Sequence, residues 1–185
     1  MDDEAESLRG QLLIASPSLL DPNFRRTVVL ITEHTPDGAM GVVLNRPTPV
    51  ALADAVPHLA GLTAEGAFVY VGGPVQPDAV VALAELEEPE QAASIAFGDI
   101  GYLRADADPE ELRGAVRRLR VYAGYAGWAG GQLEAELEEG AWILEPAEPE
   151  DVFAANDEDL WSLVLRRKGG RFALLATMPP NPELN

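Results

Sequence analysis

Short apolar segments rich in β-branched residues recur along this chain, and Gly, Pro, Asp and Asn separate them. Such segments are typical of buried β-strands, because branched side chains pack well on a pleated surface. Residues 80–84 could be strand or helix, and the Gly-Pro turn before them favours a strand. The predicted strands are residues 11–15, 26–33, 40–44, 67–71, 80–84, 100–103, 121–125 and 141–144.

The second and third of these segments are joined by Thr35-Pro36-Asp37-Gly38. In a turn, Pro presets φ, Asp hydrogen-bonds to its own backbone, and Gly accepts a positive φ. We therefore predict that these two strands form an antiparallel hairpin.

A helical period is clearest over residues 109–119. Asp108 is a suitable N-cap, and Pro109 is favoured at the first helical position. Four apolar residues then repeat at helical spacing: Leu112, Ala115, Val116 and Leu119. We predict a helix over the whole segment.

Two further helices are predicted over residues 131–139 and 157–168. Asn156 is a candidate cap for the second one, three basic residues stand in its last turn, and Gly169 follows as a natural stop. Strands cluster early and helices are interspersed later, which favours an α+β fold over a doubly wound sheet. We expect a frayed acidic tail over residues 1–8 and a single domain over residues 9–185.

The chain is strongly acidic, with 31 Asp and Glu against 13 Lys and Arg, and a formal charge of −18. Nucleic-acid binding needs clustered basic residues, so this charge opposes it. The dense basic residues are Arg113, Arg117, Arg118 and Arg120. We interpret them as a solvated helix face that pairs with neighbouring acids.

The chain contains no cysteine, which excludes disulfides and thiolate chemistry and fits a reducing compartment. No apolar run approaches the roughly 18 residues of a membrane span, and the N-terminus is acidic where a signal peptide is basic. We therefore expect a cytoplasmic protein with no membrane partner.

The sequence presents no recognisable catalytic or metal-binding set. His34 and His58 lack a partner at ligand spacing, and no G-x-S-x-G surrounds Ser16, so we predict no metal, no cofactor and no catalytic residue. Glu134 and Glu136 would point apart on a helix, which weakens an acid–base role.

His34 has two interpretations. We expect it to end a strand and bond the following turn, and the alternative is the base of a hydrolase beside Asp21 or Glu33.

A glycine-rich segment is the most distinctive feature of the chain. Residues 124–137 combine four glycines with two large aromatics, a glutamine and two carboxylates. We expect Tyr125 and Trp128 to pack on neighbouring glycines, and Gln132 to bond a loop backbone.

With other motifs spread along nearly the whole chain, this segment resembles the YqgE/AlgH family of bacterial proteins. The matching motifs are Gly10-x-Leu12-Leu13-Ile14-Ala15, Leu20-Asp21-x-Asn23-Phe24, Val28 to His34, Gly38-x-Met40-Gly41-Val42-Val43-Leu44-Asn45-Arg46-Pro47, Gly72-Gly73-Pro74-Val75 and Gly124-Tyr125-x-Gly127-Trp128 with Gly131-Gln132-Leu133-Glu134-x-Glu136. The chain departs from the family at Leu83-Ala84, where many relatives carry Leu-His.

The resemblance implies an α+β domain with a curved, mostly antiparallel sheet, partly closed into a barrel and flanked by helices. It implies no established enzymatic activity, although an association with alginate regulation gave the family the label of transcriptional regulator.

We therefore expect a non-enzymatic binding or regulatory protein that acts through a protein or small-molecule partner. The alternatives are direct DNA binding and a hydrolase that uses His34. The candidate binding residues are Asp21, Asn23, Phe24, His34, Asn45, Arg46, Trp128, Gln132 and Glu134. If they surround one cleft, they form a functional surface, and if they are scattered in the core, they determine the fold.

Overall fold

A computed structural model describes residues 6–104, 106–154 and 159–179. Within these residues the fold is α+β, with ten strands in one sheet and seven α-helices. The strands are β1 (Gln11–Ala15), β2 (Val28–Thr35), β3 (Gly38–Val43), β4 (Pro47–Ala51), β5 (Phe68–Val71), β6 (Val75–Leu86), β7 (Ser94–Phe97), β8 (Ile100–Tyr102), β9 (Val116–Ala129) and β10 (Trp142–Pro146). The helices are α1 (Leu52–Ala55), α2 (Pro57–Ala60), α3 (Pro109–Leu112), α4 (Gln132–Glu138), α5 (Pro149–Phe153), α6 (Leu160–Lys168) and α7 (Arg171–Leu175), and a single 3-10 turn spans Pro89–Gln91.

The sheet is open. Its strand order is β10-β1-β2-β3-β9-β6-β8-β7, and β5 joins β4 to β9 in a side branch. All pairs are antiparallel except β5 with β9. A barrel requires the two end strands to pair. In the described part of the chain β10 and β7 do not pair, so the expected partial barrel is not found.

The predicted hairpin is confirmed. Strands β2 and β3 pair from Val29↔Val43 to Thr35↔Gly38. At the turn, the Oγ1 atom of Thr35 accepts a hydrogen bond from the Asp37 N–H. Gly38 has a φ of 146°, and a Cβ atom there would overlap the carbonyl oxygen of Trp128. Only glycine fits this position, because β9 runs directly beside it.

The predicted helix over residues 109–119 is wrong beyond its first turn. Asp108 does cap α3, since its side chain accepts from the Glu110 N–H. However, α3 ends at Leu112, and the chain enters β9 at Val116. There Leu119 pairs with Ala84 of β6. Of the apolar residues that matched a helical period, Val116 and Leu119 pair with β6 as strand residues, so tertiary contacts override the local pattern.

The other two predicted helices are present with changed boundaries. Helix α4 matches the predicted segment closely. Helix α6 begins at Leu160, and its cap is Asp159, whose carboxylate accepts from the Ser162 N–H. The proposed cap Asn156 lies outside the described residues. Helix α6 ends at Lys168, and Gly169 follows it with a φ of 79°, as predicted.

Both faces of the central strands are buried, which explains their unbroken apolar sequences. In β2, Val28 and Leu30 enter the largest core cluster beside Trp161, whereas Val29 and Ile31 enter a second cluster beside Trp128. A third cluster lies under α1 and α2 and comprises Leu52, Val56, Leu59, Val69, Ala82 and Val121. None of the helices in the described part of the chain has the length and apolar content to cross a membrane.

Candidate functional site

The glycines of the 124–131 segment bring chain segments into backbone contact. Gly124 has a φ of 75°, and a Cβ atom there would lie 2.5 Å from the carbonyl oxygen of Gly73. A Cβ atom on Gly73 would in turn overlap the backbone of Tyr125, and one on Gly130 would lie 2.8 Å from the Pro36 carbonyl oxygen. These glycines therefore fix β9 against the β5–β6 turn and the β2–β3 turn. The packing of Tyr125 and Trp128 on these glycines stays a prediction.

The side chain of Trp128 packs on two other aromatic rings. Its ring centroid lies 6.4 Å from that of Phe24 and 6.3 Å from that of Trp142. Both indole N–H groups donate to the Oε1 atom of Glu136, over 3.3 Å from Trp128 and 3.1 Å from Trp142. Phe24, Trp128 and Trp142 form what we call the tryptophan cluster, and one carboxylate satisfies both of its indole donors.

Gln132 closes the loop that leads from β9 into α4. Its Oε1 atom accepts from the Ala129 N–H at 3.0 Å, and its Nε2 atom donates to the second oxygen of Glu136 at 3.1 Å. The expected bond from Gln132 to a loop backbone is confirmed. The side chain therefore positions the carboxylate of Glu136 under the tryptophan cluster.

His34 is held at both ring nitrogens. Its Nε2 atom lies 2.6 Å from the Oε1 atom of Glu134, and its Nδ1 atom accepts from the Leu8 N–H at 2.9 Å. Because Nδ1 is an acceptor, the ring proton lies on Nε2 and is donated to the carboxylate. This hydrogen bond, with one from the backbone of Glu134, lowers the pKa of the Glu134 carboxyl.

These contacts correct the expectations for His34. The residue precedes the last residue of β2, but Thr35 bonds the turn in its place. Its acidic partner is Glu134 of α4, and neither Asp21 nor Glu33 takes that position. The side chain of His34 is only 5% exposed. Glu134 and Glu136 bond different partners, as their divergence on a helix predicted.

Asp21 and Arg46 stabilise the loop before β2. The Oδ1 atom of Asp21 accepts from the Asn23 N–H at 2.9 Å, and Arg46 donates to the Arg25 carbonyl oxygen at 3.1 Å. Partial burial lowers the pKa of Arg46, although the nearby charge of Asp21 acts in the opposite direction. The exposed side chain of Asn23 makes no hydrogen bond that the described residues reveal.

Asn45 bridges the same loop to β2. Its Oδ1 atom accepts from the Val28 N–H at 3.0 Å, and its Nδ2 atom donates to the Arg26 carbonyl oxygen at 2.9 Å. Arg26 has a positive φ of 54°, which is unusual for a residue with a side chain. Asn45 therefore holds a strained backbone in place.

The nine candidate residues form two groups. Phe24, His34, Trp128, Gln132 and Glu134 lie around α4 and the tryptophan cluster, and Asp21, Asn23, Asn45 and Arg46 lie around the loop before β2. Phe24 connects the groups, because it follows Asn23 and packs on both tryptophans. Most of their hydrogen bonds brace the fold. A role in binding stays a prediction.

A cavity of about 420 Å³ lies elsewhere, and none of the nine residues lines it. It is open to solvent on one side and is lined by residues of α1 and α2, of β6 and of the segment that leads from β8 into α3. Most of its lining is apolar, including Val56, Leu59, Val80, Ala82, Leu103 and Leu112. Sequence reasoning missed it, because its wall comes from segments far apart in the chain that only the sheet brings together.

Two basic residues stand at this cavity, Arg104 and His58, and both are exposed. Among the described residues, no acidic side chain pairs with Arg104. The cavity continues into an apolar row across three strands. Val71 of β5 pairs with Ala123, which pairs with Val80 of β6, and Val80 is 57% exposed.

Two arginines of the basic cluster lie on β9 and pair with acids. Arg117 pairs with Glu87 and Asp99, and Arg118 pairs with Glu85 and Glu150. Hydrogen bonding to Arg118 lowers the pKa of Glu85. The predicted pairing with neighbouring acids is confirmed for these two arginines, but they lie on a strand. Within the described part of the chain, no group of three or more His, Asp or Glu side chains is arranged to hold a metal ion.

Comparison with known proteins establishes the family. The sequence model described as AlgH-like matches residues 12–173. The chain belongs to the AlgH-like family. It is 46% identical over 188 residues to a UPF0301 protein of Streptomyces coelicolor, covering 98% of this chain and 97% of that one. A UPF0301 protein of Mycobacterium tuberculosis is 45% identical and covers 92% of this chain and 87% of its own.

Solved structures agree with this AlgH-like assignment. A crystal structure from Corynebacterium diphtheriae matches with a TM-score of 0.86 at 32% identity, covering 96% of this chain and 95% of that one. The solution structure of AlgH from Pseudomonas aeruginosa matches with a TM-score of 0.71 at 32% identity, covering 97% and 98%. The similarity therefore covers nearly the whole AlgH-like chain, including the sheet and both groups of motif residues.

Proposed function

We propose that this AlgH-like protein is a non-enzymatic, cytoplasmic binding protein that takes a small apolar ligand into the cavity beneath α1 and α2. The observation that carries the proposal is the cavity itself, of about 420 Å³ and with a mostly apolar lining. Small-molecule sites are commonly concave and apolar with a few polar groups, and this volume falls within their usual range.

The wall of the cavity supports reversible binding. Val56 lies between α1 and α2, and Leu59 lies in α2. Val80 and Ala82 lie on β6. These residues come from a short helical segment and from a strand. Val80 is 57% exposed, so the cavity opens to solvent and a ligand could enter without displacing either element. Burial of apolar ligand surface would supply the binding free energy.

An enzymatic role for His34 receives no support from its geometry. The ring is almost fully buried, and both of its nitrogens already have partners in Glu134 and Leu8. A general base must reach the proton that it removes. In the part of the chain that the structure describes, His34 instead holds α4 and the segment before β1 to the end of β2.

Direct DNA binding is likewise disfavoured by charge. The chain carries a net charge of −18, and Arg117 and Arg118 of β9 are paired with acids. Each paired arginine would have to exchange an internal carboxylate for a phosphate, and the remaining acidic surface would repel the duplex.

Regulation through a protein partner remains part of the proposal. Asp21, Asn23 and Gln132 are exposed at the motif surface, and hydrogen bonds hold the side chains of Asp21 and Gln132 in fixed positions for a partner.

Titration with decanol and with decanoate, followed by amide NMR spectra, tests ligand binding. We expect the largest shifts at residues 55–59, 80–82 and 102–104. Ala55→Trp would fill the cavity and abolish these shifts, because Ala55 lines it. Ala53→Trp is the matched control, since Ala53 lies on the same helix, is exposed, and does not line the cavity. Absence of shifts with both compounds, or shifts confined to other surfaces, would overturn the proposal.

A further inference from the structure

We infer that the cavity selects amphipathic organic anions, with an apolar body inside and one carboxylate bound by Arg104 at its edge. This inference rests on the proposed function and specifies the ligand class of the same site. The inference depends on the positive charge of Arg104, which lies beside an apolar cavity in a very acidic protein.

The arginines elsewhere in the chain differ from Arg104 in their partners. Arg117, Arg118 and Arg167 each have two acidic partners, and Arg26 pairs with Asp159. Arg120 of β9 instead donates to the backbone carbonyl oxygens of Val152 and Ala154. Where the chain places an arginine at a cavity without such a partner, the guanidinium is available to an external anion.

Arg104 meets that condition. It is exposed, it lines the cavity, and no described residue accepts a side-chain hydrogen bond or forms an ion pair with it. Only its backbone carbonyl is used, as an acceptor for the Ala107 N–H. His58 lines the same cavity from α2 and offers a second donor without a described partner. No acidic residue lines the cavity, although Asp54 and Asp106 are close in sequence.

The apolar body of the proposed ligand is inferred from the apolar side chains that line the rest of the cavity. Leu59, Val80 and Ala82 provide an apolar wall, and Val80 leads on to the exposed row that contains Ala123 and Val71. A hydrocarbon chain would fit along this wall and leave its head group near Arg104. A guanidinium binds a carboxylate through two parallel hydrogen bonds, which neither an alcohol nor a cation can accept in the same way.

Calorimetric titration of the full chain with decanoate, decanol and decyltrimethylammonium tests the inference. We expect decanoate to bind about tenfold more tightly than decanol, which corresponds to ~1.4 kcal/mol. The ammonium compound should bind more weakly still. Added salt should narrow the difference between decanoate and decanol, because the charge of Arg104 is exposed and is screened.

Arg104→Gln should remove this preference and leave decanol binding unchanged. Arg166→Gln is the matched control, because Arg166 is an exposed arginine of α6 that does not line the cavity, and both changes remove one positive charge. Val80→Trp provides a second way to block the cavity if Ala55→Trp fails to fold.

The outcomes separate the two proposals. Equal binding of decanoate and decanol, or an Arg104→Gln effect no larger than that of Arg166→Gln, would overturn the anion preference and leave the cavity as a ligand site. Binding of neither compound would overturn both proposals. A preference for decanoate that disappears only in Arg104→Gln would establish the anchor.

Discussion

The Nε2 atom of His34 lies 2.6 Å from the Oε1 atom of Glu134, although the two residues are 100 positions apart in the chain. The contact joins the end of β2 to α4, and the Leu8 N–H donates to the other ring nitrogen. A His–Glu pair, which in other proteins can act in catalysis, thus connects three chain segments here. Loss of this contact should therefore lower the stability of the fold.

Glu134→Gln should reduce the pH dependence of folding. The pKa of Glu134 is lowered in the folded protein, so the carboxylate contributes stability above its unfolded pKa, and this contribution is lost as the pH falls through the folded pKa. The wild type should be more stable at about pH 7, and the difference should shrink below about pH 4. We expect at most ~1 kcal/mol, because the side chain is 42% exposed and solvent screens its charge.

Urea unfolding of both proteins across this pH range checks the result. Glu138→Gln is the control, since Glu138 is an exposed residue of the same helix without a described side-chain partner. Identical pH profiles for Glu134→Gln and Glu138→Gln would contradict the prediction.

Gly124→Ala should destabilise the protein strongly. The backbone of Gly124 has a φ of 75°, and the added Cβ atom would lie 2.5 Å from the carbonyl oxygen of Gly73. Neither backbone can move without disturbing β9 or the β5–β6 turn, so we expect a loss of about 3 kcal/mol or more. Gly127→Ala should be nearly neutral, because the nearest atom to its new Cβ would be in the Val75 side chain at 3.8 Å. Thermal unfolding compares the two, and equal losses would refute the backbone argument.

Glu136→Ala should destabilise the tryptophan cluster. The carboxylate accepts from the indole N–H groups of Trp128 and Trp142, which are both nearly buried. Its removal leaves two donors unsatisfied, and we expect a cost of about 2 kcal/mol with a change in tryptophan fluorescence. Glu138→Ala removes an exposed carboxylate from the same helix and should change neither quantity. A Glu136→Ala protein with wild-type stability would show that water replaces the carboxylate.

Tyr122→Phe should leave stability unchanged or increase it by about 1 kcal/mol. The Tyr122 hydroxyl is buried and has no hydrogen-bond partner among the described residues, and burial raises its pKa. Removal of an unsatisfied hydroxyl eliminates a desolvation cost. Tyr102→Phe should instead destabilise, because the Tyr102 hydroxyl lies 2.8 Å from the Thr32 Oγ1 atom. Chemical unfolding of both variants decides the point, and a large loss for Tyr122→Phe would reveal a bound water or another partner.

Local patterns predicted the strands well. The apolar segments of β1, β2 and β5 are strands, and the Pro-Asp-Gly turn closes the β2–β3 hairpin. The same reasoning failed over residues 112–119, where a helical period continues into the first residues of β9, although it correctly predicted residues 121–125 of that strand. That strand is specified by its partners β3, β5 and β6, and a single sequence does not show which strands will pair.

The candidate site was predicted in part. The bond from Gln132 to a loop backbone and the divergence of Glu134 from Glu136 follow from local geometry, and both are confirmed. The partner of His34 was missed, because a separation of 100 residues leaves no local signal. The cavity was missed for the same reason, as its walls belong to segments from Met40 to Leu112.

The sequence by itself determined the α+β class, most strand positions, the acidic character and the family, because these depend on short-range patterns and on composition. Only the tertiary structure decided that the sheet stays open, that the strand predicted over residues 121–125 begins at Val116 and ends at Ala129, and that the apolar cavity lies apart from the motif residues. The physical reason is that hydrogen-bond pairing between distant strands, and the space left between them, depend on the whole chain at once.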